Sequence, residues 1–262
     1  MARPTRKELA LANQLDALQR RYEKRYEKQI FSALKKQMQP YLAAIKQADG
    51  NINRFDLITP APLADILESL YVVSGVAYAD AMYNAIQPPS KATKEALRAG
   101  WRDFMRRYAV LNVTRLLPGI QNTSVGIIQN IVARGLQEGI GILDIARQIE
   151  QTISNVFISR AKLIARTEMV KATNAAAMNS AQTSDFMYEK KWIPANQPGI
   201  TRPDHLAMLN SDWVPFNDPF IVGGVNMQQP GDPNAPAAQV CNCHCKVVFR
   251  IMRDVDGLPM RK

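Results

Sequence analysis

Between Arg6 and Met38 the apolar residues Leu11, Leu15, Leu18, Tyr22, Tyr26, Ile30 and Leu34 recur every three or four positions. This spacing predicts one apolar stripe along a long helix. The other face holds Arg20, Arg21, Lys24, Arg25, Lys28, Lys35 and Lys36. Glu23 and Glu27 stand among them, each able to pair with a lysine three or four positions away. Pro40 is expected to end or kink the helix. A narrow stripe with a basic back predicts an arm that packs on other subunits rather than a helix buried in its own domain.

Five further helices follow in the pattern. The first opens with Thr59 as N-cap and Pro60 in the first turn, and closes at Pro88-Pro89. The second is capped by Ser90 and stopped by Pro118-Gly119. "TSVGIIQNIVARGLQEG" and "GILDIARQIEQTI" predict a helical pair around a tight corner. That corner reads as packing rather than DNA reading, because its second helix offers only Arg147 and Gln148 to base edges. An Ala-rich helix then covers Ser159 to Ser184.

After Asp185 the period shortens. "FMYEKKWIPA" predicts a strand, "NQPGITRPDH" a turn, and "SDWVPFNDPFIVGGV" short strand pieces. "MQQPGDPNAPAAQV" is a loop, "CNCHCKVVFRIM" alternates as a strand, and "RDVDGLPMRK" is expected to be mobile. The fold class is α+β: two helical thirds with a long amphipathic helix, then a small α+β domain of short antiparallel strands. The predicted segments are a basic helical arm at 1–50, a helical domain at 51–155, the small domain at 156–252 and a flexible tail at 253–262.

Composition changes this picture little. With 47% apolar residues in 262, a core forms without staples. No run of about 18 apolar residues predicts a membrane span. No secretory h-region stands at the start, and three clustered cysteines make no disulfide framework, so a reducing cytoplasm is expected. The net charge of +10 is concentrated in residues 1–50, with 11 Lys/Arg against 5 Asp/Glu. That concentration suggests a polyanion or an acidic protein surface as partner; a solvated helix face is the other reading.

All three cysteines, Cys241, Cys243 and Cys245, lie in one stretch, with His244 beside them. In an extended strand the three thiols share a face and span about 13 Å, too far for one metal to take all of them. The remaining histidine is His205 in "TRPDHLAML". One reading places His205, Cys243 and Cys245 on a zinc ion that ties the turn to the last strand. The other makes the thiols small core residues and gives His205 a backbone hydrogen bond. In "ARTEM", Arg166 and Glu168 are expected to serve a structural polar network, with a catalytic Glu168 as the alternative. No phosphate-binding loop, nucleophile elbow or dinucleotide fingerprint is present in the sequence, so no enzyme is expected.

The order "RAKLIARTEMVKATNAA", "KKWIPA", "TRPDHLAMLNSDWVPFNDPF" and "PGDPNAPAAQVCNCHCKVVF" resembles the phage head-morphogenesis family, the Mu F-like minor head proteins, over roughly residues 135–250. The resemblance implies a structural virion component, a minor capsid protein inside the head near the portal, made in the host cytoplasm. Portal and capsid proteins and packaged double-stranded DNA, bound without sequence preference, are its implied partners, with no membrane. It also implies a role in head assembly and in DNA packaging or ejection. A metal-dependent nuclease or transferase built on the small domain is the rival reading.

Overall fold

The protein is described here from a computed structural model that covers residues 5–47, 51–86, 93–195 and 201–262. The expected stop at Pro88-Pro89 and cap at Ser90 lie outside those residues. Helix α1 spans Arg6–Ile45, α2 Ala61–Ser69, α3 Gly75–Ile86, α4 Lys94–Gln137 and α5 Ile142–Gln182. Short helices α6 (Pro203–Ala207) and α7 (Ala237–Val240) follow among the strands. The strands are β1 (Tyr188–Ile193), β2 (Val214–Pro215), β3 (Phe220–Val222), β4 (Val225–Met227) and β5 (Lys246–Ile251). The α+β class is therefore as the pattern predicts.

The chain forms two compact units, each discontinuous in sequence. One comprises 1–23, 69–109 and 166–262; the other comprises 24–68 and 110–165. The long helices α1, α4 and α5 contribute to both. In the second unit, Tyr26, Ile30, Leu34, Met38 and Tyr41 of α1 are fully buried. In the first, Leu15 and Gln19 are buried in the same way. The arm expected from the narrow stripe is thus corrected: α1 is built into the protein's own cores. Besides the apolar stripe, the face used also holds Gln19, Glu23 and Gln37, and polar letters hid its true width.

Two prolines predicted as stops are passed over. Pro40 lies inside α1 and Pro118 inside α4. A proline removes one backbone hydrogen bond, and buried side chains on both of its flanks hold the helix together. Met38 and Tyr41 flank Pro40 in this way, and Val113 and Ile120 flank Pro118. The two helices expected within 142–184 are one helix, since no proline or glycine interrupts the run. The corner before it is present: α4 ends at Gln137, and Gly139 takes a φ of +68°. The helical run Phe55–Ile86, with a π-helical turn at Leu70–Ser74, is long and apolar enough by length and composition to cross a membrane. Leu63, Leu67, Leu70, Tyr71, Tyr78 and Met82 on it are fully buried in the folded chain.

In the first unit, β1 lies between β2 and β5 in an antiparallel sheet, with Lys190 opposite Phe249 and Trp192 opposite Val247. β3 and β4 form a separate hairpin. The core joins Leu15, Tyr78, Val170, Ala177, Trp192, Phe220, Val247 and Phe249. Small residues on α5 (Ala172, Ala176, Ala177 and Ala181) are buried, as the Ala-rich pattern suggests. The tail is corrected from mobile to paired. Phe186 bridges Arg261, Arg253 bridges Pro259, and the Met187 N–H donates to the Met260 carbonyl at 3.0 Å.

Candidate functional site

The cysteine stretch is not a flat strand. α7 ends at Val240, a turn follows, and β5 begins only at Lys246. At the turn Asn242 adopts a φ of +58°, a left-handed conformation that asparagine tolerates better than most residues. Two consecutive residues of α5 hold it there. The Thr167 hydroxyl accepts the Asn242 N–H at 3.0 Å, and Arg166 Nη1 donates to Asn242 Oδ1 at 2.7 Å. Arg166 Nε also donates to Glu23 Oε1 of α1 at 3.1 Å. The local Glu–Lys pairing expected for Glu23 is thereby corrected: Glu23 is buried and bonded to Arg166.

This turn brings Cys243 and Cys245 to one imidazole. His205 Nδ1 lies 3.6 Å from Cys243 Sγ and 3.4 Å from Cys245 Sγ. The three candidate ligand atoms lie within 4.8 Å of one another, and all three residues are buried. The Cys245 N–H reaches Cys243 Sγ at 3.3 Å. Cys241 stands outside this group, half-buried, and all three thiols are free. His244 turns away: its Nδ1 is 3.9 Å from Glu23 Oε2. Burial, with Arg166, Lys246 and Arg20 nearby, pushes the His244 imidazole down to about 4.

His205 sits on α6 and is fixed from its far side. Its Nε2 is 2.8 Å from Gln239 Oε1, and Gln239 Nε2 is 2.6 Å from Asp204 Oδ2. A carboxylate only accepts, so Gln239 presents its amide hydrogens to Asp204 and its carbonyl oxygen to His205. His205 then carries its proton on Nε2, leaving the Nδ1 lone pair aimed at the two sulfurs. The Asp204 carboxyl is held below its usual range: burial works against this, and bonds from Gln239 and the His205 N–H outweigh it. Gly223, with a φ of +56°, passes beside this relay. A Cβ there would collide with Asp204 Oδ2 and lie 2.9 Å from Gln239 Nε2. The edge of Trp192 packs on His205 with ring centroids 5.2 Å apart.

The thiols titrate as a pair. The bond between them divides their protons: Cys245 is held well below the usual thiol range and Cys243 well above it. For Cys245, His205 and the Ala195 N–H add to the effect against burial. For Cys243, burial adds to it. Burial pushes His205 down, but Cys245, Gln239 and Asp204 together outweigh it and leave the imidazole raised.

Glu168 is 1% exposed, accepts the Tyr71 hydroxyl at 2.5 Å and pairs with Lys171 at 2.9 Å. It therefore sits in a buried network and not with His205 in a cleft. The PGDP loop crosses α5 at Gly231, where a Cβ would lie 3.1 Å from the Lys171 nitrogen. Asp232 organises that loop, accepting the N–H groups of Gln228 and Asn234 at 2.7 and 2.9 Å. Asn174 does what a strand neighbour would do. Its Oδ1 accepts the Val247 N–H at 2.8 Å, and its Nδ2 donates to the Cys245 carbonyl at 3.2 Å. Sequence reasoning missed Asn174, Thr167 and Gln239. Thr173 and Asn174, adjacent in the Ala-rich stretch "VKATNAAAM", were the available signal for the first of them.

The predicted partner-binding cations occupy α1. Arg20, Arg21, Lys24, Arg25, Lys28, Lys35 and Lys36 are all exposed. Arg20 pairs with Asp16 at 2.5 Å. Asp16 in turn takes Lys246 of β5, and these two cations outweigh burial to hold its carboxyl below its ordinary value.

Residues 126–248 match the family model described as Phage Mu protein F like protein. No curated protein and no solved structure matches the chain. The matched span holds Arg166, Thr167, His205, Cys243 and Cys245, the residues that build the turn and the imidazole cluster, and Glu168 of the buried network. Over this region, just under half of its length, the chain is similar to the Mu F-like proteins of phage head morphogenesis.

Proposed function

We propose that the protein is a minor structural component of a tailed-phage head. It sits inside the capsid near the portal, reaches it from the host cytoplasm during assembly, and aids assembly and DNA packaging or ejection. In this reading its partners are the portal and capsid proteins and the packaged duplex. The similarity of residues 126–248 to the Mu F-like family supports the head role. The observation that carries the DNA and portal reading is the arrangement of charge on α1. At 100° per residue, Arg21, Lys24, Arg25, Lys28, Lys35 and Lys36 fall within an arc of about 120°, over about 22 Å of helix. The opposite arc holds the buried Leu15, Tyr26, Ile30 and Leu34. A row of cations along one face of a helix suits a phosphate backbone or an acidic protein face, without base readout.

Because α1 is part of the cores, its deletion would unfold the protein, and charge removal is the cleaner test. Duplex DNA binding by the full chain is expected to fall by about 10³ or more between 50 and 200 mM salt if six phosphates are neutralised. Replacing the six cations with alanine is expected to flatten that salt dependence and abolish most of the binding, with the circular dichroism spectrum unchanged. A folded six-alanine variant that binds DNA as the parent does would refute the assignment of this face.

A further inference from the structure

We propose that His205 Nδ1, Cys243 Sγ and Cys245 Sγ hold a zinc ion, with a water molecule as the fourth ligand. Three independent features lead there. The first is distance. A tetrahedral zinc with Zn–S near 2.3 Å and Zn–N near 2.0–2.1 Å sets N···S separations of about 3.6 Å. The two observed separations are 3.6 and 3.4 Å. A hydrogen-bonded arrangement has use for only one of them, since the single Nδ1 lone pair accepts one S–H.

The second feature is the tautomer. The relay from Asp204 through Gln239 puts the proton on Nε2 and bares Nδ1 toward the sulfurs. Metal-ligating histidines are oriented in this way, by an acceptor on the far ring nitrogen. Cys243 Sγ also has an N–H donor, from Cys245, and Cys245 Sγ has one from Ala195. Gly223 leaves the relay the space that a side chain would take.

The third feature is room. A cavity of about 10 Å³ adjoins the three residues, bordered by Thr201, Arg202, Asn242 and His244. That is about the space of one water molecule. Two thiolates and one imidazole select a soft or borderline divalent ion, and zinc is the abundant one that takes this set in tetrahedral geometry. On binding, each thiol gives its proton to solvent, the zinc–sulfur bonds form, and the imidazole stays neutral. No electron is transferred.

The full-length protein, reduced and freed of metal, is titrated with zinc(II) and with cobalt(II). The expected results are one ion per chain, a thermal midpoint that rises with zinc and falls back on chelation, and thiolate-to-cobalt charge-transfer absorption with tetrahedral visible bands. His205→Ala, Cys243→Ser and Cys245→Ser are each expected to weaken zinc binding at least about 100-fold, while Cys241→Ser leaves it unchanged. Should the ligand variants fail to fold, the cobalt spectrum of the parent protein decides. Substoichiometric zinc binding, a cobalt spectrum without thiolate absorption, or undiminished binding in folded Cys243→Ser/Cys245→Ser protein would overturn the proposal.

Discussion

Asn174→Ala is expected to lower the unfolding free energy by about 2–5 kcal/mol, measured by urea denaturation followed through tryptophan fluorescence. The side chain is fully buried and makes three hydrogen bonds, to Val247 N–H, the Cys245 carbonyl and the Val170 carbonyl. Alanine leaves Val247 N–H and the Cys245 carbonyl without this partner at the entry of β5. A buried backbone group left unsatisfied costs about 1–3 kcal/mol. Asn174→Asp is expected to do no better: it keeps an acceptor for Val247 but faces the Cys245 and Val170 carbonyls with a buried negative charge. A loss below about 0.5 kcal/mol in the alanine variant would show that the strand entry does not depend on α5.

Glu168→Ala is expected to cost about 3–5 kcal/mol, by the same measurement. It strips the carboxylate from Lys171, whose side chain is 15% exposed, and from the buried Tyr71 hydroxyl. Removing one member of a buried ion pair leaves an uncompensated charge, which is why the expected loss exceeds that of a surface pair. Glu168→Gln keeps an acceptor for Tyr71 and most of the volume, so its loss is expected to be about half as large. Equal, small losses in both variants would mean that the network is hydrated and structurally idle. A catalytic Glu168 would instead tolerate both substitutions in stability and fail only in turnover.

The helical period was legible wherever apolar residues alone formed the buried face, as at Leu15, Tyr26, Ile30 and Leu34 of α1. It misled where polar residues share that face. Gln19, Glu23 and Gln37 are buried by partners far away in sequence, so α1 looked thinner and freer than it is. Prolines were over-weighted. Pro40 and Pro118 each remove a single hydrogen bond from helices whose neighbouring turns are buried.

At the cluster, sequence spacing chose His205, Cys243 and Cys245 by ligand type, and the structure brings those three together. Alternation did not foresee how. The thiols converge because Asn242 turns left-handed under Arg166 and Thr167, not because a strand bends. The Arg-Thr pair and the Asn-Cys turn are about 75 residues apart, and nothing local in either segment announces the other. Gln239 stayed hidden for the same reason: its role exists only where α7 comes alongside α6.

The proposed placement of this protein in the phage head is tested most directly by the protein content of purified heads, read by quantitative mass spectrometry in portal-containing and portal-less assemblies. The account predicts the chain in portal-containing heads and its depletion when the portal is absent. A chain recovered only in the soluble fraction, or equally in both assemblies, would contradict it.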